Sequence, residues 1–560
     1  MIRSAARTLG VALAGASLAL GMTATAATAG PGRGLEARSI PLQLLSFNDF
    51  HGHLAPEDGV GGAAGMAGTL EQLRAAAGDR NSITVGAGDS IGGSTFLSGL
   101  FHDEPTIEAL NTMGVDVSSV GNHEFDEGVA ELFRMQNGGC HPIDCFYPDE
   151  PYSGAEFPYL AANVVSKETG KPILPGSWVT RVQGAKVGFI GIVTTDTSFM
   201  VSPSGIADVS FIDEAEATNR EVAKLRSQGV ESIVLLLHQG GTVTGDANSC
   251  DNLTGTVVDI NAKVSAAVDV IITGHTHQGY VCQLADPEGQ PRLVTQAGSW
   301  GSHVNEINLK IDLRTKDIRR DTATAVNHEI TAASPQDPKV AAIVTKWDER
   351  SAPIAGRVVG TVREDITGDA GGNRGIETPM GDLLADAILH GTSGDNGGAQ
   401  LAFMNIGGVR ASLLTGQITN GEKAGEITYA EAYNVAPFGN QLVTLDMTGD
   451  QIRRMLNQQY VADRSRQQLA LGVSEGFSYT WDPATHTVVA DSMTLNGQPM
   501  SMTATYRVGT LNFLSEGGDG FTVFTEGTNL TGGAEDLANL VTYLQANPGL
   551  VAPTDRVSGL

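Results

Sequence analysis

The segment from Gly121 to Asp126 reads Gly-Asn-His-Glu-Phe-Asp and places an amide, an imidazole and two carboxylates beside one another. It follows a short β-leaning run from Val115 to Val120. Side chains that leave the ends of strands converge at one edge of a sheet, where α/β enzymes hold their catalytic groups. Taken alone, the segment is also compatible with a polar turn, because Gly-Asn begins many turns.

Polar clusters of the same kind follow four other positions along the first half of the chain. They are Asn48-Asp49-Phe50-His51-Gly52-His53, Gly88-Asp89-Ser90, His238 and Gly274-His275-Thr276-His277. Each has an ordinary alternative, since Gly-Asp-Ser is typical of a helix cap and an isolated histidine is often a core residue. Their recurrence after successive apolar runs favours one shared site over five unrelated turns.

The donors in these clusters suit borderline divalent metals. Seven of them are candidate ligands, namely Asp49, His51, Asp89, Asn122, His238, His275 and His277. Seven are too many for one ion but fit two ions that share a bridging carboxylate. Two such cations activate a water molecule and clamp the oxygens of an in-line displacement at phosphorus. The pattern therefore predicts a hydrolase with two divalent metal ions, with Zn, Mn or Co expected.

Apolar runs and helical spacings alternate through the same half of the chain. Strands are predicted at residues 40–47, 83–87, 115–120, 186–193, 232–237 and 269–273, and helices near residues 63–77, 105–113 and 127–135. This alternation is typical of an α/β layered sheet whose polar strand ends share an edge. A further helix is predicted at residues 337–350, bounded by Pro335, Pro338 and Pro353, as a connector to a second domain.

The second half has no histidine-rich strand ends, but it carries residues that could bind a nucleoside phosphate. Arginines grip phosphate groups by paired hydrogen bonds, phenylalanines stack on flat rings, and carboxylates accept hydrogen bonds from ribose hydroxyls. The candidates are Arg374, Asn405, Arg410, Phe438, Asn440, Phe513 and Asp519. Individually, a phenylalanine in a turn is more often a core residue and an arginine more often part of a surface ion pair.

Length and charge limit the possible functions. The chain has 560 residues, which predicts two or three domains. It has 63 acidic and 35 basic residues and a formal net charge of -28. This charge would repel a polyanion, so a nucleic-acid polymer is not expected as a partner, whereas a small phosphate ester could be drawn to a local cluster of metal and arginine.

The N-terminus resembles an export signal, with Arg3 and Arg7, an apolar run to Leu20, and small residues ending near Ala29. The run is too short to span a bilayer, and no later stretch reaches that length, so no transmembrane segment is expected. The protein is expected outside the cell, either free or associated with the wall. The four cysteines allow three pairings, of which the nearest-neighbour pairing, Cys140–Cys145 and Cys250–Cys282, is preferred.

These motifs in combination resemble the calcineurin-like metallophosphatases and, with the C-terminal clusters, the two-domain 5'-nucleotidase family. The resemblance runs from about residue 43 to residue 524. It implies a four-layer α/β/β/α metallophosphatase domain at residues 40–330, a helical linker or hinge at 331–355, and a smaller α+β substrate-binding domain at 356–560, after a signal peptide at 1–29.

The resemblance also implies roles for single residues. Asp49, His51 and His277 would hold one metal, Asn122, His238 and His275 the other, and Asp89 would bridge them. His123 would meet the charge that develops on the phosphoryl group, and Asp126 would orient it. The seven C-terminal candidates fall where the family binds the nucleoside. Well-known periplasmic members carry Gln in place of His277, and His53 matches no ligand of the family.

The expected function is hydrolysis of nucleoside 5'-monophosphates by in-line attack of a metal-bound hydroxide, in a monomer or dimer. Nucleoside 2',3'-cyclic phosphates, di- and triphosphates and UDP-sugars fit the same motifs. A hydrolase of other esters, such as sulfur compounds or sugar phosphates, is a rival within enzymes. A secreted nucleoside-binding protein without turnover is the rival from another class, and the complete set of metal motifs argues against it.

Overall fold

The computed structural model describes residues 39–57, 59–142, 145–368, 372–462, 464 and 466–560. The expected export signal at residues 1–29 lies outside these residues. Within the described part of the chain, no helix combines the length and the apolar character needed to cross a membrane.

The first half of the described chain alternates strands and helices. Its strands are β1 (Ser39–Phe47), β2 (Ser82–Ala87), β3 (Val117–Ser119), β4 (Tyr159–Leu160), β5 (Val164–Ser166), β6 (Ser177–Val182), β7 (Ala185–Val193), β8 (Val209–Phe211), β9 (Ser232–His238), β10 (Val270–Thr273), β11 (Gly279–Ala285), β12 (Pro291–Ala297), β13 (His303–Asp312) and β14 (Thr324–Glu329). Its helices are α1 (Gly62–Ala77), α2 (Phe96–Gly99), α3 (Glu104–Met113), α4 (Gly128–Asn137), α5 (Thr197–Met200), α6 (Glu214–Ser227), α7 (Thr256–Lys263) and α8 (Pro338–Ala355).

Two six-stranded sheets form the centre of this half. One has the order β14-β13-β1-β2-β3-β4 and the other β11-β12-β10-β9-β7-β6. β1, β2, β3 and β4 run parallel, as do β7, β9, β10 and β12. The two groups of parallel strands carry the predicted site residues at their carboxyl ends, so the topology gathers these residues at one edge.

Alternating side chains on the strands build three apolar layers. On β1, Leu44 packs between the two sheets, whereas Leu45 packs on the other face against helices. On β9, Leu236 lies between the sheets and Leu237 faces the layer of α6 and α7. Successive residues of a strand point to opposite faces, so strands covered on both sides read as continuous apolar runs. The four-layer α/β/β/α prediction is confirmed.

Helix α8 is longer than predicted. Asp337 caps its start by accepting hydrogen bonds from the backbone N–H groups of Lys339 and Val340, at 2.8 and 2.9 Å. Pro353, which we expect to end the helix, lies inside it, because the helix continues to Ala355. A proline in the last turn removes only one backbone hydrogen bond, and apolar packing of the buried Ala355 holds the turn in place.

The second half forms an α+β unit. Its strands are β15 (Val358–Thr361), β16 (Leu401–Asn405), β17 (Glu426–Thr428), β18 (Gln441–Thr448), β19 (Leu471–Val473), β20 (Phe477–Asp482), β21 (Thr487–Val488), β22 (Thr494–Leu495), β23 (Gln498–Pro499), β24 (Thr505–Leu511), β25 (Thr528–Glu535) and β26 (Val557–Ser558). Its helices are α9 (Pro379–Thr392), α10 (Tyr429–Val435), α11 (Gly449–Asn457), α12 (Asn512–Ser515) and α13 (Asp536–Ala546). A five-stranded sheet of order β19-β16-β24-β18-β25 packs against α9 in one apolar core.

Both predicted disulfides are present. Cys140 pairs with Cys145, and Cys250 pairs with Cys282. The first closes the loop that follows α4, and the second ties β11 to the loop before α7. The nearest-neighbour pairing is confirmed.

Candidate metal centre and substrate cavity

The loops that follow β1, β2 and β3 lie against one another. The backbone N–H of Asp49 donates to the carbonyl of Gly88 at 3.0 Å, and that of His51 donates to the carbonyl of Asp89 at 3.1 Å. Gly88 has a φ of 83°, and a Cβ at this position would lie 2.7 Å from the backbone nitrogen of Gly121. Glycine is therefore required where the loops cross, and the crossing brings the candidate donors together.

Several candidate ligands have left-handed backbones. Asp49, His51, Asp89, His275 and His277 have φ values of 49°, 48°, 50°, 74° and 55°. Residues with a side chain rarely adopt this conformation, and each costs of order 1 kcal/mol or more. Backbone strain of this kind is concentrated at functional sites. Here it turns the side chains of three strand-end segments, those after β1, β2 and β10, back toward a common point.

The first group of donors contains Asp49, His51 and His277. His277 Nε2 lies 3.3 Å from Asp49 Oδ1 and 3.3 Å from His51 Nε2. Asp49 is held by hydrogen bonds from the backbone N–H of His275 and from the side-chain amide of Asn48, at 2.7 to 3.0 Å. These contacts fix the carboxylate before any ligand binds.

The second group contains Asp89, Asn122, His238 and His275. His238 Nε2 lies 3.0 Å from Asp89 Oδ2, and His275 Nδ1 lies 3.0 Å from Asn122 Oδ1. The same Asp89 oxygen is 3.8 Å from His51 Nε2 in the first group. Asp89 thus reaches both groups, as a bridging carboxylate must.

The donor set fits two divalent cations. Two donors bound at about 2.0 to 2.1 Å to one tetrahedral ion lie about 3.3 Å apart, which is close to the separations within both groups. Burial lowers the pKa values of His51, His275 and His277 below their ordinary range, which favours the neutral imidazole that metals require. His238 differs, because although burial lowers its pKa, the Asp89 carboxylate raises it to about 10. A cation between them would take the place of that proton.

His123 and Asp126 form a hydrogen-bonded pair beside these groups. His123 Nδ1 lies 2.8 Å from Asp126 Oδ2, which also accepts a hydrogen bond from the backbone N–H of Gly93 at 2.9 Å. Burial lowers the pKa of His123, but the carboxylates of Asp126 and Asp89 outweigh burial and raise it. A nitrogen of His123 also lies within 4.8 Å of donors from His51 and Asp89, so proximity alone does not separate a ligand from a hydrogen-bond donor.

Glu124 positions the loops, a role that was not predicted from the sequence. Its buried carboxylate accepts backbone hydrogen bonds from Asp89 and Ser90 at 2.9 and 2.8 Å, and a third from Gly121. It therefore ties the loop after β2 to the loop after β3. In the sequence it is one carboxylate among several in the motif, and nothing marks its partners as backbone groups.

All seven candidates from the second half face the same cavity. Its walls contain Arg374, Asn405, Arg410, Phe438, Asn440, Phe513 and Asp519 together with Asp89, Asn122, His123, Asp126, His275 and His277. The two halves of the chain therefore contribute opposite walls of one cavity. By contrast, His53 lies outside both donor groups and stacks on Trp300, with ring centroids 5.2 Å apart.

Contacts across and within the cavity order these side chains. The rings of Phe438 and His123 are stacked with centroids 6.0 Å apart, and the Arg410 guanidinium lies 5.6 Å from the Phe438 ring. The Asn405 amide donates to Asp519 Oδ2 at 3.2 Å. Phe513 is only 9% exposed and belongs to the apolar core, so its ring is held rigidly where it forms the cavity wall.

Two further arginines, Arg464 and Arg466, line the cavity, and neither was predicted from the sequence. The positive charge of Arg374 and burial lower the pKa of Arg466 to about 9, and burial followed by Arg374 lowers that of Arg410 to about 10. Both remain cationic at neutral pH. Arg464 donates to the backbone carbonyl of Asp519 at 2.6 Å. Such a concentration of cations, in a chain of net charge -28, marks a site for an anion.

A four-layer sandwich with two groups of metal donors at the ends of its parallel strands defines a metallophosphoesterase. Residues 42–279 match the family model for calcineurin-like phosphoesterases, and residues 358–526 match that for the 5'-nucleotidase C-terminal domain. The chain therefore belongs to the two-domain 5'-nucleotidase family of metal-dependent phosphoric ester hydrolases.

Individual relatives support this assignment. The chain is 35% identical over 523 residues to Endonuclease YhcR of Bacillus subtilis, covering 90% of this chain and 40% of that protein. It is 32% identical over 561 residues to Cell wall protein Lmo0130 of Listeria monocytogenes, covering 95% of this chain and 70% of that protein. The crystal structure of a 5'-nucleotidase precursor from Thermus thermophilus superposes with a TM-score of 0.74 at 26% identity, covering 93% of this chain and 99% of that one.

Proposed function

We propose that the protein hydrolyses nucleoside 5'-monophosphates to nucleosides and phosphate outside the cytoplasm. The observation that carries this proposal is the shared cavity, in which metal donors of one half face arginines, phenylalanines and a carboxylate of the other. A nucleotide has the matching parts in the same order, namely a phosphate, a ribose and a flat base. The N-terminal sequence and the two disulfides support a location outside the cytoplasm.

The metal donors form two sets in this proposal. Asp49, His51 and His277 would hold one divalent cation, Asn122, His238 and His275 would hold the other, and Asp89 lies within reach of both groups of donors. When bound, the two cations supply Lewis acidity, which polarises the phosphoryl oxygens and lowers the pKa of water. The donors themselves keep this edge of the sheets fixed, because their loops are already tied by backbone hydrogen bonds.

The remaining side chains bind and orient the substrate. His123 donates a hydrogen bond to a phosphoryl oxygen, and Asp126 holds its ring in the required direction through the 2.8 Å contact. Arg374 and Arg410 bind the phosphate, and Arg466 adds a third positive charge nearby. Because these arginine side chains are partly buried, water screens their attraction for the phosphate only weakly.

The nucleoside is bound by the second half of the chain. The base lies between the rings of Phe438 and Phe513, and Asp519 accepts hydrogen bonds from the ribose hydroxyls while Asn405 fixes its carboxylate. Asn440 borders the base, and its amide is held by Asp536 Oδ2 at 3.3 Å. This clamp makes nucleotides better substrates than esters without a base.

The domain boundaries at residues 40–330, 331–355 and 356–560 remain part of the proposal. Helix α8 is fixed to the first half, because the Trp347 indole N–H donates to Glu108 Oε2 at 2.8 Å and Lys346 Nζ lies 2.7 Å from Glu108 Oε1. We therefore place the hinge at the end of α8, near Gly356, rather than along the helix. Opening there would admit substrate to the cavity.

Substitution of the two phenylalanines tests the proposed substrate. Metal-loaded protein is expected to release phosphate from AMP faster than from a small aryl phosphate. Phe438→Ala and Phe513→Ala are each expected to lower kcat/KM for AMP by about 5-fold to 150-fold, because base stacking contributes about 1 to 3 kcal/mol. kcat/KM for the aryl phosphate should change little. The measurement is phosphate release at matched enzyme and metal concentrations.

The control is Phe133→Ala, which removes a ring that is 37% exposed on α4 and outside the cavity wall. The substrate panel includes a nucleoside 2',3'-cyclic phosphate, ADP, ATP, a UDP-sugar, a sugar phosphate and a single-stranded oligonucleotide, since one relative is named as an endonuclease. Equal losses on AMP and the aryl phosphate would contradict the base clamp. Absence of phosphate release from every monoester would contradict the proposed activity.

A further inference from the structure

A buried carboxylate lies behind the part of the cavity wall that is proposed to border the base. Asp536 is the first residue of α13, and its Oδ2 lies 3.3 Å from Asn440 Nδ2. Its Oδ1 accepts a hydrogen bond from the backbone N–H of Leu537 at 2.7 Å. The Asn440 backbone is fixed as well, because its carbonyl accepts a hydrogen bond from the N–H of Asp536 at 2.8 Å. Asn440 lines the cavity, so the carboxylate can act on a substrate through this amide.

Asn440 lies at the edge of the space between the two phenylalanine rings. It follows Phe438 by two residues. The next residue, Gln441, donates its backbone N–H to Asn512 Oδ1 at 2.9 Å, and Asn512 directly precedes Phe513. The segment that carries the amide is therefore tied to the segments of both rings. A base held between the rings would present one of its edges to the Asn440 side chain.

The carboxylate determines which end of the Asn440 amide faces the cavity. An ionised carboxylate accepts hydrogen bonds and has no hydrogen to donate, so only the NH2 end of the amide can pair with Asp536. The opposite orientation would bring two acceptor oxygens together in a buried site, where the repulsion is poorly screened. Asn440 Oδ1 is therefore the end of the amide that remains for a ligand.

We propose that Asp536 is a positioning residue that sets a base preference, by holding Asn440 Oδ1 as an acceptor for an amino group on the edge of the base. The inference rests on the proposed nucleotide substrate and names its chemical class. Adenine carries an amino group at C6, whereas hypoxanthine carries a keto oxygen there, which would meet Asn440 Oδ1 as a second acceptor. Nucleotides of 6-amino purines are therefore expected to be better substrates than those of 6-keto purines.

Three nucleotides that differ at C6 of the purine test the preference of the wild-type protein. AMP has an amino group at this carbon, purine riboside 5'-monophosphate has a hydrogen, and IMP has a keto oxygen. At about pH 8, where Asp536 is ionised, kcat/KM for phosphate release is expected to be about 2-fold to 10-fold lower for purine riboside 5'-monophosphate than for AMP. It should be lower still for IMP. Equal values for the three nucleotides would overturn the base preference.

Asp536→Asn is expected to reverse the preference. The side chain keeps its shape, and its oxygen stays toward the backbone N–H of Leu537, so its new NH2 group faces Asn440. Two NH2 groups cannot pair, so the Asn440 amide turns over and offers its own NH2 group to the base. That donor pairs with the keto oxygen of IMP. The variant should favour IMP over AMP, and a variant that still favours AMP as the wild type does would contradict the positioning role.

The pH dependence of the wild-type preference gives a measure that needs no variant. Burial, and to a smaller extent the charge of Glu535, raises the pKa of Asp536 to about 7. Tyr433 of α10 is the other ionisable side chain that interacts with it among the described residues, and burial keeps this phenol neutral by raising its pKa. Below about pH 7, protonated Asp536 can donate to Asn440 Oδ1. The ratio of kcat/KM for AMP to that for IMP should therefore fall with pH in the wild type and stay constant in Asp536→Asn.

The matched control is Asp395→Asn, an exposed aspartate of the second half, which should keep the wild-type preference and its pH dependence. Calorimetric binding of adenosine and inosine separates this inference from the proposed reaction, because it requires no turnover. Tighter binding of adenosine without hydrolysis of AMP would support the base preference and contradict the reaction. Hydrolysis of AMP with equal affinity for the two nucleosides and a ratio that does not vary with pH would overturn the role of Asp536 and leave the reaction standing.

Discussion

Asp89→Asn is expected to lower kcat for AMP by about 10³-fold or more and to reduce the bound metal from two ions at the dinuclear centre to at most one. Asp89 is buried, and one of its oxygens lies 3.0 Å from His238 Nε2 and 3.8 Å from His51 Nε2. An amide keeps the shape but loses the negative charge that two cations would share. Their Lewis acidity is worth several kcal/mol, and each 1.36 kcal/mol is a factor of ten in rate.

Elemental analysis and phosphate release on the same preparation check this result. Asp348→Asn, on an exposed part of α8, is the matched control and should leave both quantities unchanged. Asp89 also accepts a hydrogen bond from the backbone N–H of His123 at 2.8 Å, so circular dichroism should accompany the assay to detect unfolding. A folded Asp89→Asn protein with two ions and near wild-type kcat would exclude the bridging role.

His123→Ala is expected to lower kcat by about 10²-fold to 10⁴-fold while both ions are retained. A positioned side chain that donates to the reacting group contributes a factor of this size. The imidazole ring of His123 is hydrogen-bonded to Asp126, although a ring nitrogen also lies close enough to His51 and Asp89 to be a metal ligand. The combination of lost rate and retained metal therefore separates the two possible roles.

Asp126→Asn gives an intermediate test of the same pair. The imidazole of His123 remains, but it loses the carboxylate that orients the ring and stabilises its protonated form. We therefore expect kcat to fall by about 10-fold to 100-fold, as for other groups that orient a functional side chain. His390→Ala serves as the control for loss of an exposed imidazole. Loss of one ion in His123→Ala would show that this histidine is a ligand and would contradict the proposed assignment.

The strands and the convergence of their ends could be predicted from the sequence because both have local signals. Continuous apolar runs such as Ile233 to Leu237 mark strands buried on both faces, and polar residues directly after them must lie at the sheet edge. Parallel pairing of β1 with β2 and of β9 with β10 then brings Asp49, Asp89, His238 and His275 together. The disulfides were predictable for a related reason, since each pair lies within one segment.

Other features could not be predicted, because they depend on contacts between residues that are far apart in the sequence. Glu124 binds the backbone of Asp89, which is 35 residues away, and any buried carboxylate in the motif would look the same in the sequence. Arg466 reaches the cavity through a loop that has no periodic pattern. The prediction that α8 ends before Pro353 was wrong, because tertiary packing outweighs the cost of a proline in the last turn of a helix.

The existence of a two-cation centre is tested most directly by anomalous X-ray diffraction from crystals of the protein grown with Mn²⁺ or Zn²⁺. The predicted result is two strong peaks about 3.5 to 4 Å apart, one beside Asp49, His51 and His277, the other beside Asn122, His238 and His275, with Asp89 between them. A single peak in this region, or peaks only elsewhere in the molecule, would contradict the account.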